Sequence, residues 1–478
     1  MDRFDLVIVG GGVGGLVTAS GASQFGAKVA LVEKESLGGD CLHWGCVPTK
    51  RLVQSAKVAS LLKRLPEFGL IADNARVDFP QVMQAMRKVQ EKIGRNDAPE
   101  RFQKMGVEVV FGGGHFTDPH TFEVNGKRLE GRKFLIATGS RPILLPIPGL
   151  KEAGALTNVT ALQLNRLPES LVILGAGPIG LEFAQVFARL GSKVTVIEKM
   201  GQILPREEKE VADELEKILK REGIEIHTCT EVKEIQKNEK GKKVVVAQCS
   251  DEGLKHFEAE ELMVSIGRAP NVDGLNLKLI GVEYDDRKGI KVGADLRTTQ
   301  KHIFAAGDVT GLYPFTHVAE YQAGIVVSNA LFPFVNRKAD YRVVPWVTYT
   351  DPELGRVGIT EGEAKKEYGE RNVQVFRFHF DDVDRAIIEG EGHGFIKLVC
   401  DRKNQILGAH LLGPHAGELL HEFVLAMKAR LPITKISQTI HVYPTLTQSV
   451  KRACDQYYRE KLFRGWFPKV AKKLIRFA

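Results

Sequence analysis

Asp5–Lys34 reads DLVIVGGGVGGLVTASGASQFGAKVALVEK, and Leu171–Lys199 reads LVILGAGPIGLEFAQVFARLGSKVTVIEK. Laid on one another, Gly10, Gly12, Gly15, Gly26, Lys28, Val29 and Glu33 fall on Gly175, Gly177, Gly180, Gly191, Lys193, Val194 and Glu198, each pair 165 positions apart. In each copy an apolar β-branched run enters GxGxxG, an amphipathic helix of about a dozen residues follows, and a second apolar run ends in Glu. The first glycine permits a tight turn, the second lets backbone approach a pyrophosphate, and the third lets helix pack on strand. The helix N-terminus then offers unpaired N–H groups to phosphates. One such motif is a weak signal, but two complete copies in register predict an α/β chain with two dinucleotide-binding units.

The terminal glutamates suit the hydroxyls of an adenosine ribose. Glu198 also bears on the choice of nucleotide, because a carboxylate at that strand end accepts from a free 2′-hydroxyl and repels a 2′-phosphate. No Arg follows it until Arg206, so the second unit is expected to prefer NAD(H) over NADP(H). The competing reading leaves Glu198 as a solvated strand-end charge.

At 478 residues and 43% hydrophobic, the chain has room for about three domains. The opening MDRFDLVIVG enters a strand at once and does not resemble a secretory leader, and no uninterrupted apolar run reaches membrane-spanning length. A cytoplasmic protein is the expectation. The net charge of +8 suggests nucleic acid at first sight, yet residues 457–478 carry seven Lys or Arg against one Glu. Six of the eight excess charges therefore belong to a tail, and the nearly neutral body argues against nucleic-acid binding.

Four of the six cysteines are scattered singly, whereas Cys41 and Cys46 stand five positions apart in GGDCLHWGCVPTK, Gly38–Lys50. The spacing is too wide for a zinc-knuckle CxxC, and no second Cys/His cluster completes four ligands. A redox-active pair is the leading reading, with an inert short-loop disulfide and a metal site as competitors. Pro48 predicts a helix starting there and running through KRLVQSAKVASLLKRL, with Cys46 just ahead of its N-terminus. The helix dipole, with Lys50 in the same first turn, favours a thiolate at Cys46.

These motifs, in this order, resemble the pyridine nucleotide-disulfide oxidoreductases, the class that includes dihydrolipoyl dehydrogenase, glutathione reductase and mercuric reductase. The resemblance covers the chain to about residue 460. It implies an α/β fold of two Rossmann-like domains, for FAD and NAD, plus a C-terminal α+β dimerisation domain. The implied boundaries are 1–145 and 271–342 for the FAD-binding unit, 146–270 for the NAD(P)-binding unit, 343–456 for dimerisation, and 457–478 for the basic tail. FAD would then be held by Gly10, Gly12, Gly14, Gly15, Glu33, Lys34 and Gly39. Cys46 would be the flavin-facing charge-transfer thiol, and Cys41 the outer thiol that exchanges with substrate. ATGSRP, Ala137–Pro142 (Thr138, Gly139, Ser140, Arg141), resembles the crossover into the NAD domain. SIGRAPN, Ser265–Asn271 (Gly267, Arg268), resembles the return. TTQKHIFAAGD, ending in Gly307 and Asp308, resembles the second FAD motif, with Asp308 on the ribityl chain. Gly175, Gly177, Gly180 and Glu198 would hold NAD(H). Glu182 would pair with Lys50 beside the flavin; two ordinary helix-surface charges are the plainer reading.

The chain also leaves the pattern. HVYPTLTQ places Tyr443 where the resemblance implies the acid/base His, and Gln448 where it implies Glu; His441 lies two residues earlier, displaced by ~7 Å on an extended segment. His441 as acid/base and His441 as a structural histidine both remain open, and a tyrosine hydroxyl near its ordinary pKa of ~10 is a poor base. Asp40 replaces the usual Thr, and His43 and Trp44 also depart. Cys454 is single, so the C-terminal cysteine pair of mercuric reductases is missing. In the tail, helical spacing puts Phe463, Trp466, Phe467, Val470, Leu474 and Phe477 on one arc with basic residues opposite. That face suits peripheral contact with an anionic membrane; a helix closing over the dimer is the alternative.

The expectation is a homodimeric FAD enzyme that passes electrons between NAD(H) and a thiol or disulfide substrate through Cys41 and Cys46. Alternatives are a membrane-associated NADH:quinone or other acceptor reductase, a mercuric reductase-like enzyme, and a non-enzymatic FAD redox sensor.

Overall fold

The computed structural model describes residues 3–73, 75–250, 253–463 and 467–476. The run that opens the sequence forms the strand Arg3–Val9, in which Leu6, Val7 and Ile8 are wholly buried. Burial on both faces explains why the run is continuously apolar instead of alternating. This strand pairs in parallel with Val29–Glu33 on one side and Lys127–Ile136 on the other. Lys127–Ile136 pairs antiparallel with Thr121–Val124 along its first half and parallel with Ile303–Ala305 along its second. Residues 303–305 thus rejoin the first sheet after a long excursion.

The excursion builds a second parallel sheet in the order Glu225–His227, Lys193–Ile197, Ser170–Leu174, Glu261–Val264, with a three-stranded antiparallel sheet over residues 230–259 beside it. The strands entering and leaving it, Ser140–Pro142 and Arg268–Pro270, pair antiparallel, Ala269 opposite Arg141. The two crossovers therefore clasp each other. A third unit is a five-stranded antiparallel sheet in the order Pro345–Thr348, Glu353–Gly358, Ile406–Gly413, Phe395–Asp401, Val373–His379. Helices Ala416–Lys428 and Thr447–Phe463 cover it, burying Leu420, Phe423, Val450 and Ala453.

Both GxGxxG motifs run from strand into helix, Val13–Gln24 and Pro178–Leu190, of 12 and 13 residues. The cysteine loop differs from the expectation. The second helix starts at Cys46, two residues before Pro48, and runs to Lys63, so Cys46 lies inside its first turn. A separate helical turn, Gly39–His43, carries Cys41. Leu52 and Ala56 of helix Cys46–Lys63 share one apolar cluster with Leu181, Phe183 and Phe187 of helix Pro178–Leu190. Packing of those faces is what brings Lys50 to the second unit; truncating a buried phenylalanine such as Phe187 is expected to cost about 3–5 kcal/mol.

In the tail, a helix spans Phe467–Ile475, with Pro468 in its first turn, a position that needs no intrahelical N–H. Leu474 and Ile475 are strongly exposed. Trp466 and Phe477, which the expected apolar arc included, lie outside the described residues. No helix among the described residues is long and apolar enough to cross a membrane.

Candidate active site

The two glycine-rich turns are built alike. Gly10 and Gly175 have φ of +113° and +101°, a region that favours glycine, and a Cβ at either would clash with the carbonyl of Ala137 or Ser265. A Cβ at Gly15 would stand 1.9 Å from the Gly10 oxygen, and one at Gly180 would stand 2.1 Å from the Gly175 oxygen, so the third glycine lets each helix meet its own strand. The middle glycines are different. Gly12 and Gly177 are extended, and a Cβ would meet only the Gly39 Cα at 3.9 Å in the first case and nothing in the second. Neither backbone strain nor packing demands glycine there, and the open space suits a phosphate drawn close to backbone.

The strand-end acids repeat the symmetry. Glu33 Oε2 accepts from Gly11 N at 2.6 Å and Oε1 from Glu35 N at 2.8 Å. Glu198 Oε2 accepts from Ala176 N and Oε1 from Met200 N, both at 2.8 Å. Glu198 is buried, so it is not a solvated strand-end charge. Gly14 is buried in its helix, Gly39 abuts Gly12, and Lys34 is exposed beside Glu33.

The crossovers are stitched by side chains. Thr138 Oγ1 donates to Asn271 O at 2.7 Å, Asn271 N donates to Gly139 O, and Arg141 Nη1 donates to Pro270 O. Ser140 Oγ donates to Asp308 Oδ2 at 2.6 Å, and Arg268 Nε donates to Ser140 Oγ at 2.8 Å. Burial raises the Asp308 carboxyl above its usual range, against the lowering influence of Ser140 and Arg268. Gly307, at φ +79°, and Gly267, at +140°, hold the turns beside these groups.

Cys41 and Cys46 are both free thiols. Cys46 Sγ lies 3.3 Å from Thr316 Oγ1, the first residue of helix Thr316–Leu331. The sulfur thus faces the N-terminal turns of two helices, whose partial positive charge favours an anion. The Cys46 thiol is brought down to about 6, chiefly by a hydrogen bond from Cys41, with Thr316 and Lys50 assisting against burial. Cys41 moves strongly upward, since its proton is held in that bond and burial disfavours its charge. The pair is therefore asymmetric: thiolate at 46, thiol at 41.

Lys50 Nζ donates to Glu182 Oε2 at 2.8 Å and lies 4.7 Å from the Tyr349 ring centroid. Glu182 Oε1 accepts from Tyr349 N at 2.9 Å. Burial, the largest single influence, pulls the Lys50 ammonium down, but the Glu182 charge and hydrogen bond together with Cys46 and Tyr349 outweigh it and the net shift is upward. Nearby, Asp351 binds Arg189 Nη1 at 2.6 Å and Lys57 Nζ at 3.0 Å. Helices from the first two units and the loop after Thr348 thus meet at one junction.

His441 and Tyr443 are not brought to the thiols by their own chain. His441 Nε2 lies 3.0 Å from Glu422 Oε1 and Nδ1 lies 3.0 Å from Thr439 O, so both ring nitrogens face acceptors within the third unit. Tyr443 is largely exposed, and the nearby Asp384 raises its hydroxyl above the ordinary range. Ile440 and Val442 flank them, 96% and 74% exposed. Thr316, Tyr349 and Asp351 escaped the sequence reading. They come from more than 260 residues beyond the cysteines, and although VPWVTYTDPELGRVGIT, Val344–Thr360, resembles the opening of a dimerisation domain, nothing in it points to the cysteine loop.

Two nucleotide-binding sheets, a thiol pair at a helix start and a lysine-glutamate bridge between the units define a flavin-type disulfide oxidoreductase. The pyridine nucleotide-disulphide oxidoreductase model matches residues 4–323, and the dimerisation domain of the same group matches residues 344–454. The chain belongs to the pyridine nucleotide-disulphide oxidoreductase family. A dihydrolipoyl dehydrogenase of Bacillus subtilis is 36% identical over 466 residues, covering 94% of this chain and 97% of the relative. A mercuric reductase of Lysinibacillus sphaericus is 33% identical over 453 residues, covering 95% of this chain and 82% of the relative. Among solved structures, the Cu(II) complex of the HOCl-induced flavoprotein disulfide reductase RclA from Escherichia coli superposes with a TM-score of 0.85 at 29% identity, covering 95% of this chain and 100% of that one. The protein is thus a FAD-dependent NAD(P)H disulfide oxidoreductase with a dimerisation domain.

Proposed function

We propose that the chain catalyses NADH-linked thiol–disulfide interconversion through Cys41 and Cys46, as a homodimer. The placement of Cys46 in the first turn of its helix, 3.3 Å from Thr316 Oγ1, with Lys50 of the same turn bridged to Glu182 at 2.8 Å, carries this reading. FAD, held by the Gly10–Gly15 turn, Glu33, the crossovers and Asp308, supplies two-electron exchange between the nicotinamide and the thiol pair. The chain's own groups do the rest. The Cys46 thiolate is held by Cys41, Thr316 and two helix ends, and Lys50 keeps positive charge beside it. Glu182 fixes that lysine at the seam of the two nucleotide-binding units.

Towards substrate, the deprotonated Cys41 attacks RS–SR, forming a mixed disulfide and releasing one thiolate. Cys46 then attacks the Cys41 sulfur, releasing the second thiolate and leaving the Cys41–Cys46 disulfide. The sum is NADH, one proton and RS–SR giving NAD⁺ and two RSH, and the reverse sequence oxidises a dithiol. Since Cys41 is held protonated, the exchange needs a proton acceptor, for which His441 of a second copy is the candidate; Tyr443, its hydroxyl raised by Asp384, is no base at neutral pH.

Two finer readings accompany it. The fixed, buried Glu198 favours a free ribose hydroxyl and hence NAD(H). The exposed apolar and basic tail favours peripheral contact with an anionic bilayer. The central test is Cys46→Ser. Loss of NADH-linked disulfide turnover with FAD retained is expected, and full retained turnover would refute the relay.

A further inference from the structure

The turn Gly39–His43 is too short to hold its own shape. One turn fixes several dihedrals for little hydrogen bonding, so an isolated five-residue helix is unstable in water. Gly38, at φ +102°, precedes it and Gly39, at +59°, opens it, so its entry draws no stiffness from side chains of its own. External contacts therefore set where Cys41 sits. At the exit end, Gln90 Nε2 donates to Leu42 O and His43 O at 3.1 and 2.9 Å. There too, Asn158 Nδ2 donates to Trp44 O at 2.8 Å. These bonds follow the cysteine and fix the C-terminal half.

At the other end Gly38 N donates to Gly11 O at 2.9 Å, and Asp40 adds a side-chain contact. Its Oδ1 lies 2.9 Å from Arg268 Nη2. Its Oδ2 stands where a Cβ at Gly45 would be only 2.9 Å away, so the carboxylate also closes on the chain just ahead of Cys46. Arg268 is itself anchored, with Nε on Ser140 Oγ at 2.8 Å and Nη2 on Ser140 O at 2.9 Å, and Ser140 is held in turn by Asp308. The side chain of Arg268 is 16% exposed against 40% for Asp40, so a largely buried guanidinium on the crossover grips the more exposed turn.

We propose that Asp40, through Arg268, is the positioning residue that holds Cys41 within hydrogen-bonding reach of Cys46. The proposal rests on the thiol relay and adds the part that keeps its two sulfurs together. It explains why a carboxylate is tolerated beside a thiolate. As a charge, Asp40 disfavours ionisation of both cysteines. As a clasp it secures the Cys41–Cys46 bond, the largest influence lowering Cys46. The two effects have opposite signs, and that makes them separable.

The test is the ionisation midpoint of Cys46 in reduced, FAD-loaded protein. It is read from the long-wavelength thiolate-to-flavin band and, independently of the flavin, from the pH dependence of iodoacetamide alkylation mapped by peptide mass spectrometry. In Asp40→Asn the midpoint rises by about half a pH unit or more, although loss of a carboxylate by charge alone would lower it. Asp40→Glu, which keeps the charge and reaches the same guanidinium, returns most of the shift, and Asp40→Thr behaves like Asp40→Asn. A midpoint that falls or stays in both Asp40→Asn and Asp40→Thr overturns the proposal. If wild-type Cys46 alkylates with an ordinary thiol midpoint, the relay itself fails, and the clasp with it. A wild-type midpoint lowered to about 6 with unmoved variants sinks the clasp alone.

Discussion

Lys50 Nζ and Glu182 Oε2 meet at 2.8 Å across 132 residues of sequence, joining the helix that starts at Cys46 to the helix that starts behind the second glycine-rich turn. Glu182 is 4% exposed, and its second oxygen holds the backbone of Tyr349. Glu182→Gln keeps the shape and removes the charge. NADH-driven flavin reduction, followed by stopped flow, is expected to slow by about tenfold or more as the ammonium loses its orientation. Unchanged reduction would mean that the pair only fastens the two units together.

Thr316 is the second contact of the Cys46 sulfur and sits at a helix N-terminus. Thr316→Val preserves volume while deleting the hydroxyl. Its expected effect is a rise of the Cys46 midpoint from about 6 by about half to one pH unit, because one bond to the charged form is lost. The thiolate population should then fall away at a higher pH on acidification. Spectra of the reduced variant and wild type, titrated side by side, decide it.

The fold was legible because its signal is periodic and local. Gly10 to Glu33 and Gly175 to Glu198 state the two dinucleotide-binding units outright, and the cysteine motif named its own helix to within two residues. What could not be read depends on distant packing. Nothing around Asp40 points to Arg268, 228 positions later, and nothing around Cys46 points to Thr316. The third unit hides most. Trp346, Arg356, His410, Lys397 and Arg377 stand opposite one another in one row across five strands, facing Glu207, Glu208 and Glu210 of the second unit. In the sequence each is an isolated charge or ring inside an apolar strand. Cross-strand register, which turns and bulges set, is what assembles them.

That row predicts a pH dependence of stability. His410 is fully buried and its imidazole is lowered from 6.5 to about 3, by burial first and by the Arg356 charge next. Between those values the unfolded chain binds a proton that the folded chain refuses, so this residue weakens the fold as pH drops through that window. His410→Asn removes the titration. Its melting temperature is expected to be lower at neutral pH, yet to decline less steeply on acidification than that of wild type. Parallel declines in calorimetry would remove His410 from the account.

Glu198 offers a test of nucleotide choice. Both of its oxygens are fixed by Ala176 N and Met200 N, so the proposed contact with a ribose hydroxyl would need no rearrangement of the carboxylate. Glu198→Ala should raise the KM for NADH by about tenfold through loss of a charged hydrogen-bond acceptor, and narrow the gap between NADH and NADPH by removing the repulsion of a 2′-phosphate. Steady-state kinetics with both nucleotides measure the ratio. A wild-type enzyme that already prefers NADPH would overturn the assignment.

The tail can be separated from the enzyme. Phe463 is 74% exposed, and helix Phe467–Ile475 leaves Leu474 63% and Ile475 75% exposed beside Lys472 and Lys473. Each basic residue near an anionic surface contributes about 1 kcal/mol at low ionic strength, and the apolar side chains add burial in the headgroup region. Flotation with phosphatidylserine-containing vesicles should carry the full chain and release it in high salt, whereas pure phosphatidylcholine should not. Deleting residues 464–478 should abolish flotation and leave disulfide turnover and the dimer intact. If the truncated chain instead becomes monomeric and the full chain never floats, the tail belongs to the subunit interface, and its charge is then turned towards protein.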